Sequence, residues 1–215
     1  MADRDSASAS GRSPVRVALA SSNPGKLREY RELAAGSPLE IDLIPNFREL
    51  PAFDESAPTF AENGAGKALH YSRFAEGIVL ADDSGLVVPA LGGAPGVQSA
   101  RYAGPNATDE DCVRKLLREM NGKVGDERRA RFVCVIALAM RGRALAVVSD
   151  FAEGILAAEP RGANGFGYDP VFCFLEGGRT FAEATPEEKN RHSHRGKAFR
   201  KVRDLLSSSN FSTPF

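Results

Sequence analysis

Cysteine is scarce in this chain of 215 residues, which contains three. Cys112, Cys134 and Cys173 are far apart and form no C-x-x-C pair. This spacing argues against both a structural zinc site and a disulfide framework, and it suits a protein of the reducing cytoplasm. A cytoplasmic location is therefore expected.

An excess of charge and long apolar runs are also absent. The 28 Lys+Arg residues balance 28 Asp+Glu residues, which excludes a general polyanion binder and predicts no nucleic-acid partner. No apolar run approaches the roughly 18 residues of a membrane-spanning helix. The N-terminus also lacks the apolar core of a signal peptide, so no membrane partner is expected.

What remains is the composition of a globular protein, with 42% hydrophobic and 26% charged residues. The Ser- and Ala-rich residues 1–14 and the residues 209–215 are predicted to be tails, the first of them disordered. Residues 15–208 are predicted to form a single domain.

Strand and helix patterns alternate in the first half of the chain, and an apolar hairpin follows. Strands are predicted at 15–20, 39–44, 78–81, 132–140, 144–151, 166–174 and 180–182. Helices are predicted at 23–34, 59–74, 108–120, 187–191 and 195–206. This order predicts an α/β or α+β fold with a mixed sheet.

The segment from Ser21 to Lys26 lies between the first strand and the first helix and reads Ser-Ser-Asn-Pro-Gly-Lys. Free N–H groups and the positive end of a helix suit a phosphate group at such a turn. Lys26 opposes the helix dipole at a cost of roughly 0.3–1 kcal/mol, which a bound anion would offset. An ordinary capped helix with an exposed lysine explains the segment equally well.

Two adjacent carboxylates, Asp82 and Asp83, follow the third predicted strand and precede Ser84. A divalent cation would relieve their repulsion, and Mg²⁺ commonly binds one or two carboxylates together with phosphate oxygens. Alternation along a strand would send the two side chains to opposite sides, so that only one faces a ligand. A polar turn is the alternative. Glu62 could also bind metal, but it fits a capping box with Thr59.

Two further segments carry candidate binding residues. In Gly165–Pro170, glycines flank Phe166, whose ring could stack on a flat base; the alternative is a glycine-rich turn with a core phenylalanine. Residues 186–204 carry seven Lys and Arg against three Asp and Glu, and Ser193 is placed to cap a helix with cations in its first turn. A solvated basic helix is the alternative there. Together the four segments favour a flat, polyanionic, metal-bound ligand, which a nucleoside triphosphate matches.

The ordered set of motifs resembles the inosine triphosphatase family, whose members are nucleoside triphosphate pyrophosphatases acting on unusual purines. The resemblance covers about Val15 to Leu206. The motifs are Ser22–Lys26, Thr59–Asn63, Ala81–Leu86, Leu91–Val97, Ser99–Tyr102, Gly165–Pro170 and Ser193–Gly196.

This resemblance implies an elongated α/β fold with a long mixed sheet, and two lobes around a central nucleotide cleft. It also implies a homodimer, a Mg²⁺ cofactor, and hydrolysis of ITP, dITP and XTP to nucleoside monophosphate and pyrophosphate, which cleanses the nucleotide pool. Two alternatives stay open: turnover of other modified nucleoside triphosphates, and nucleotide sensing without turnover.

The resemblance also implies roles for single residues. Asp83 matches the general base and metal-linked carboxylate, Ser84 a substrate contact, and Glu62 and Asp82 are further candidate metal ligands. The sequence departs from the family pattern at Ala57 and Gly64, which lie outside the chemistry. The other expected substrate contacts are Ser21, Ser22, Asn23, Pro24, Gly25 and Lys26 for the triphosphate, Phe166, Gly167, Tyr168 and Asp169 for base and sugar, and Lys189, His194 and Arg195 for the base and phosphate end.

Overall fold

A six-stranded mixed sheet forms the centre of the fold in the computed structural model, which describes residues 14–208. Its strands lie side by side in the order β2-β1-β3-β4-β5-β6. The predicted tails 1–14 and 209–215 lie outside the described residues, apart from residue 14. The strands are Val15–Leu19 (β1), Leu39–Leu43 (β2), Ile78–Val87 (β3), Arg129–Met140 (β4), Arg143–Leu156 (β5) and Phe172–Phe174 (β6).

The sheet changes from parallel to antiparallel pairing at β3. Strand β1 pairs in parallel with β2 and β3, whereas every pair from β3 to β6 is antiparallel. The β4–β5 hairpin turns at Arg141 and Gly142, whose φ angles of 52° and 74° match the primed turns that suit twisted strands. The predicted mixed sheet and hairpin are both confirmed.

Side-chain caps begin the helices in the described part of the chain. Asn23, Thr59, Thr108 and Ser193 each accept hydrogen bonds from backbone N–H groups of the first turn, as their positions in the sequence predict. Each cap satisfies donors that a helix end otherwise leaves unpaired. The helices are Pro24–Ala34 (α1), Phe60–Tyr71 (α2), Asp109–Glu119 (α3), Pro186–His192 (α4) and His194–Ser207 (α5).

Three apolar clusters hold these elements together. On one face of the sheet, Tyr30 of α1 and Phe199 of α5 pack on the middle of the sheet. On the other face, Tyr71 of α2 packs near the parallel strands. Around β6 and α3, Phe132 and Phe172 belong to a third cluster. No helix within residues 14–208 has the length and apolar character that a membrane crossing requires.

Three of the predicted strands are wrong in extent. Strand β3 does not end at Ala81 but continues to Val87, so the two adjacent carboxylates lie in the middle of a strand. The predicted strand 166–174 is a turn followed by a short 3-10 helix, and β6 covers only its last three residues. The predicted strand 180–182 is reduced to a single bridge between Cys173 and Thr180.

Candidate active site

A cavity of about 380 Å³ opens between the apolar clusters and beside the middle of β3. Tyr71 and Phe132, from two of those clusters, form part of its wall. Most of the residues predicted to bind substrate line it together, although they come from distant parts of the chain. These are Ser21, Ser22, Asn23, Lys26, Asp83, Ser84, Phe166, Gly167, Tyr168, Asp169, His194 and Arg195.

The Ser21–Lys26 segment uses several of its N–H groups internally. Asn23 Oδ1 accepts from the N–H groups of Gly25 and Lys26 at 2.8 and 3.2 Å, and Ser21 Oγ accepts from that of Asn23 at 3.1 Å. The expectation that this turn offers these N–H groups freely is therefore wrong. Asn23 and Ser21 use the N–H groups of Asn23, Gly25 and Lys26 within the segment.

Six buried or largely buried charged groups form a continuous series beside the cavity, which we call the ion chain. Lys26 and Arg195 both pair with Asp82, at 2.9 and 3.2 Å. Arg195 continues to Glu29 at 2.5 Å, and Glu29 continues to Lys189. In order, the ion chain is Lys26, Asp82, Arg195, Glu29, Lys189 and Asp169.

Opposite charges alternate along the ion chain, and its three cations balance its three carboxylates. Although burial works in the opposite direction, Arg195 and Lys189 lower the pKa of Glu29. Lys26 and Arg195 likewise hold the pKa of Asp82 well below its usual range against the effect of burial. Both carboxylates are therefore ionised at neutral pH, and the pairing compensates for their removal from water.

Asp83 points to the other side of β3, as alternation predicts, and lines the cavity. Its Oδ2 accepts from Asn63 Nδ2 at 3.0 Å, and its Oδ1 accepts from the N–H of Ser84 at 2.9 Å. Burial raises the pKa of Asp83, although Lys26 and the Asn63 hydrogen bond oppose that rise. A raised pKa increases the basicity of this carboxylate, which suits the removal of a proton from water.

Helix α2 carries the amide that contacts Asp83, and it passes close to the sheet at Gly64. A Cβ atom added at Gly64 would lie 3.4 Å from the carbonyl oxygen of Val135 and 3.5 Å from the nitrogen of Asp83. Both distances are ordinary van der Waals contacts, so this position does not require glycine.

Phe166 is held between the ion chain and helix α1. Its N–H donates to Asp169 Oδ2 at 2.8 Å, and Lys189 Nζ and Arg195 Cζ lie 4.9 and 5.5 Å from the centre of its ring. A Cβ atom added at Gly25 would lie 2.7 Å from its Cδ1 atom. The ring therefore has a fixed position in the cavity wall, from which it can stack on a flat ligand.

His194 also lines the cavity and stacks on Phe132, with ring centres 4.6 Å apart and planes 10° apart. Burial and the nearby charges of Arg195 and Lys189 hold its pKa well below the usual value, so the ring is neutral. Within residues 14–208, its Nδ1 atom has no hydrogen-bond partner. The same holds for Nε of Arg195. Both atoms are buried from solvent.

Comparison with known proteins agrees with this geometry. The family model described as "Ham1 family" matches residues 17–205. The chain belongs to the Ham1 family.

Relatives of this Ham1 protein match it over nearly their whole length. A Geobacillus kaustophilus protein named dITP/XTP pyrophosphatase is 49% identical, over 86% of this chain and 91% of the relative. A Bacillus subtilis protein of the same name is 39% identical, over 88% of this chain and 96% of the relative. The solved structure of a HAM1 protein from Coxiella burnetii has a TM-score of 0.79 and 41% sequence identity, over 90% of this chain and 98% of that structure.

Five of the residues predicted to act in this Ham1 protein lie outside the cavity lining. Two of them were predicted to bind metal. Glu62 is exposed and accepts a hydrogen bond from the Thr59 hydroxyl at 2.6 Å, and Asp82 is fully buried within the ion chain. Of the three predicted metal ligands, only Asp83 faces the cavity. The five are Pro24, Gly25, Glu62, Asp82 and Lys189.

Sequence reasoning missed several cavity residues. Lys67 and Tyr71 line the cavity from α2, where they and Asn63 are buried at intervals of four, and a lysine on the buried face of that helix was the signal that could have found them. Lys67 pairs with Glu55 at 2.9 Å, and both side chains line the cavity. Within residues 14–208, no group of three or more His, Cys, Asp and Glu side chains is placed to hold a metal ion.

Proposed function

We propose that this protein hydrolyses unusual purine nucleoside triphosphates, namely ITP, dITP and XTP, to nucleoside monophosphate and pyrophosphate. One observation carries the proposal: a single cavity brings together the carboxylate of Asp83, the aromatic ring of Phe166 and the buried cation of Arg195. The names of the curated relatives, dITP/XTP pyrophosphatase, support two of these three substrates. This activity removes such nucleotides before they enter nucleic acid.

In this reaction, water attacks the α-phosphorus and the bond to the β-phosphate oxygen breaks. Asp83 takes the proton from the attacking water, because burial raises the pKa of this cavity carboxylate and, unlike Asp169, it forms no ion pair with a lysine among the described residues. Ser84 lies next to it as a substrate contact. The cations at the triphosphate end, Lys26 and Lys67, stabilise the charge that develops on the pyrophosphate leaving group.

The cofactor is Mg²⁺, which neutralises phosphate charge when it is bound. Asp83 and Glu55 are the ligands that best suit it, because both line the cavity, and the negative charge of Glu55 contributes to the raised pKa of Asp83. Two carboxylates completed by phosphate oxygens are a common environment for Mg²⁺. The predicted ligands Glu62 and Asp82 are less suited, because neither lines the cavity: Glu62 is exposed outside it, and Asp82 is fully buried.

The base lies at the end of the cavity formed by Phe166, Tyr168, His194 and Arg195, with Gly167 and Asp169 shaping the pocket. Lys189 lies behind them and orients Asp169 and Arg195 through the ion chain. Arg195 lines the cavity, and a 6-oxo group can accept from its guanidinium, whereas the 6-amino group of adenine presents a donor to that donor. This arrangement favours hypoxanthine and xanthine over adenine.

Residues 15–208 act as one two-lobed unit in this proposal, and two copies form a homodimer. The outward face of β5 supports the dimer, because Val147, Phe151 and Ile155 are large apolar side chains exposed there. The proposal includes no nucleic-acid or membrane partner and places the protein in the cytoplasm. The three unbridged cysteines agree with a reducing compartment.

Product analysis tests the function. The full chain is incubated with ITP and Mg²⁺, and inosine monophosphate with pyrophosphate is the expected pair of products. Release of inorganic phosphate and inosine diphosphate would contradict the proposed bond cleavage. Tight ITP binding without any product would favour a nucleotide sensor, and ATP in parallel tests the preference for the 6-oxo group.

A further inference from the structure

Asp109 begins helix α3 but takes no part in the cap of that helix. Thr108 and Asp111 form the capping box between them, with the Asp111 N–H donating to Thr108 Oγ1 at 3.2 Å. The Thr108 N–H donates to Asp111 Oδ2 at 3.0 Å. The carboxylate of Asp109 is thus not needed to satisfy the helix end.

The Asp109 carboxylate instead crosses to the segment that carries the aromatic ring. Its Oδ2 accepts from the N–H of Gly167 at 2.6 Å, across 58 positions of sequence, and it lines the cavity. Gly167 has a φ of 62°, a left-handed conformation that glycine adopts without strain. The N–H of this residue is directed towards Asp109 of α3.

The segment Phe166–Tyr168, which we call the aromatic segment, donates three hydrogen bonds in the structure. The Phe166 N–H donates to the buried Asp169, and the Tyr168 hydroxyl donates to the Ser99 carbonyl at 2.8 Å. Both of those contacts are held by the interior of the protein. The Asp109 contact is the third, and it is made by an exposed residue at the cavity wall.

We propose that Asp109 is a positioning residue, which fixes the height and tilt of the Phe166 ring by holding the adjacent N–H of Gly167. The proposal rests on the function proposed above, because the ring is taken to stack on the base. Asp109 acts through the ring and not on phosphorus. Its loss should therefore weaken nucleotide binding more than it slows the turnover of bound substrate.

Two substitutions of neighbouring acids make the comparison. Asp109→Ala removes the acceptor, whereas Glu110→Ala removes an equally exposed acid from the same first turn, so both lose the same helix-dipole contribution. Asp109→Asn keeps an oxygen acceptor and should restore most of the lost function. The measured quantities are KM and kcat for ITP with Mg²⁺, and amide hydrogen exchange of Gly167 without nucleotide.

We expect Asp109→Ala to raise KM about threefold to tenfold, the range that corresponds to one hydrogen bond, with kcat changed less. The Gly167 amide should exchange faster in that variant and stay at the wild-type rate in Glu110→Ala. Equal KM values in the two alanine variants would overturn the proposal. Faster exchange without a change in KM would also overturn it, since the contact would then restrain the segment without serving binding.

The exchange measurement separates this inference from the proposed function. If wild-type protein releases no pyrophosphate from ITP, the proposed function fails, and the positioning role fails with it. The exchange rates still report whether Asp109 holds the segment. If wild-type protein is active and only the difference between Asp109→Ala and Glu110→Ala is missing, the positioning role alone is wrong.

Discussion

Replacing Glu29 with glutamine should strongly destabilise this protein at neutral pH. The side chain of Glu29 is 8% exposed, and its carboxylate pairs with Arg195 and Lys189. Glutamine has nearly the same size, so the change leaves no large cavity, but it leaves the ion chain with a net charge of +1. Removing one partner from a buried ion pair costs about 3–5 kcal/mol, and we expect a loss of that order in the free energy of unfolding.

The pH dependence of this loss has a definite sign. The folded-state pKa of Glu29 is lowered, so its stabilising contribution is complete above the unfolded-state pKa and disappears as pH falls through the folded-state value. The difference in unfolding free energy between wild type and Glu29→Gln should therefore be full at pH 7. It should shrink as the solution is acidified below the ordinary pKa of a glutamate.

Denaturant unfolding at several pH values measures this effect, and Glu32→Gln is the matched control. Glu32 lies on the same helix and contacts the same neighbouring helix, because its Oε2 accepts from Asn190 at 3.2 Å, but it is exposed. Its substitution should change stability by no more than about 0.5 kcal/mol. If Glu29→Gln costs as little as this control at pH 7, or if its cost grows on acidification, the reasoning about the ion chain is refuted.

Three further substitutions test the site. Asp83→Asn should reduce kcat about 10²- to 10⁴-fold, and near-normal turnover would exclude Asp83 as the base. Because burial raises the pKa of Asp83, the wild type should also lose stability relative to this variant as the pH rises through that pKa. Gly25→Ala should raise KM for ITP, since its Cβ atom would displace the Phe166 ring, and an unchanged KM would show that the ring position is unimportant. Lys26→Ala should lower the melting temperature, because Asp82 loses a partner at 2.9 Å. The variant should also reduce the change in melting temperature that nucleotide causes, and an unchanged nucleotide effect would place the triphosphate elsewhere.

The sequence predicts local features of this fold well where a single residue decides them. Asn23 and Ser193 begin helices because their side-chain oxygens accept from nearby N–H groups, a contact that depends on neighbouring residues alone. The turn at Arg141 and Gly142 is found for the same reason, since both flanking runs are apolar and glycine accepts a positive φ.

The course of β3 could not be predicted locally. Adjacent aspartates and a glycine have poor strand propensity, which suggested that the strand ends before them. The strand continues because Asp82 pairs with Lys26 and Arg195, which lie 56 and 113 positions away in the sequence. The side chain of Asn63 also donates a hydrogen bond to Asp83. Such contacts override propensity and become visible when the chain is folded.

The same limit applies to the candidate site. The ordered motifs place most of the cavity residues correctly, but they do not show which charges neutralise one another. Lys26 and Arg195 look like free cations in the sequence, whereas both are paired with Asp82 in the structure. Glu55 carries no local signature of a site, since its pairing with Lys67 joins a loop to a helix.

The ion chain also has a consequence for translation. The ribosome synthesises Lys26, Glu29 and Asp82 long before Lys189 and Arg195, which lie on the last two helices. Until those helices emerge, Glu29 lacks both of its cations, and its burial is unfavourable. The parallel half of the sheet therefore cannot reach its final packing on an unfinished chain. A polypeptide that terminates before α4 would keep Asp83 in its sequence and yet fail to assemble the cavity around it.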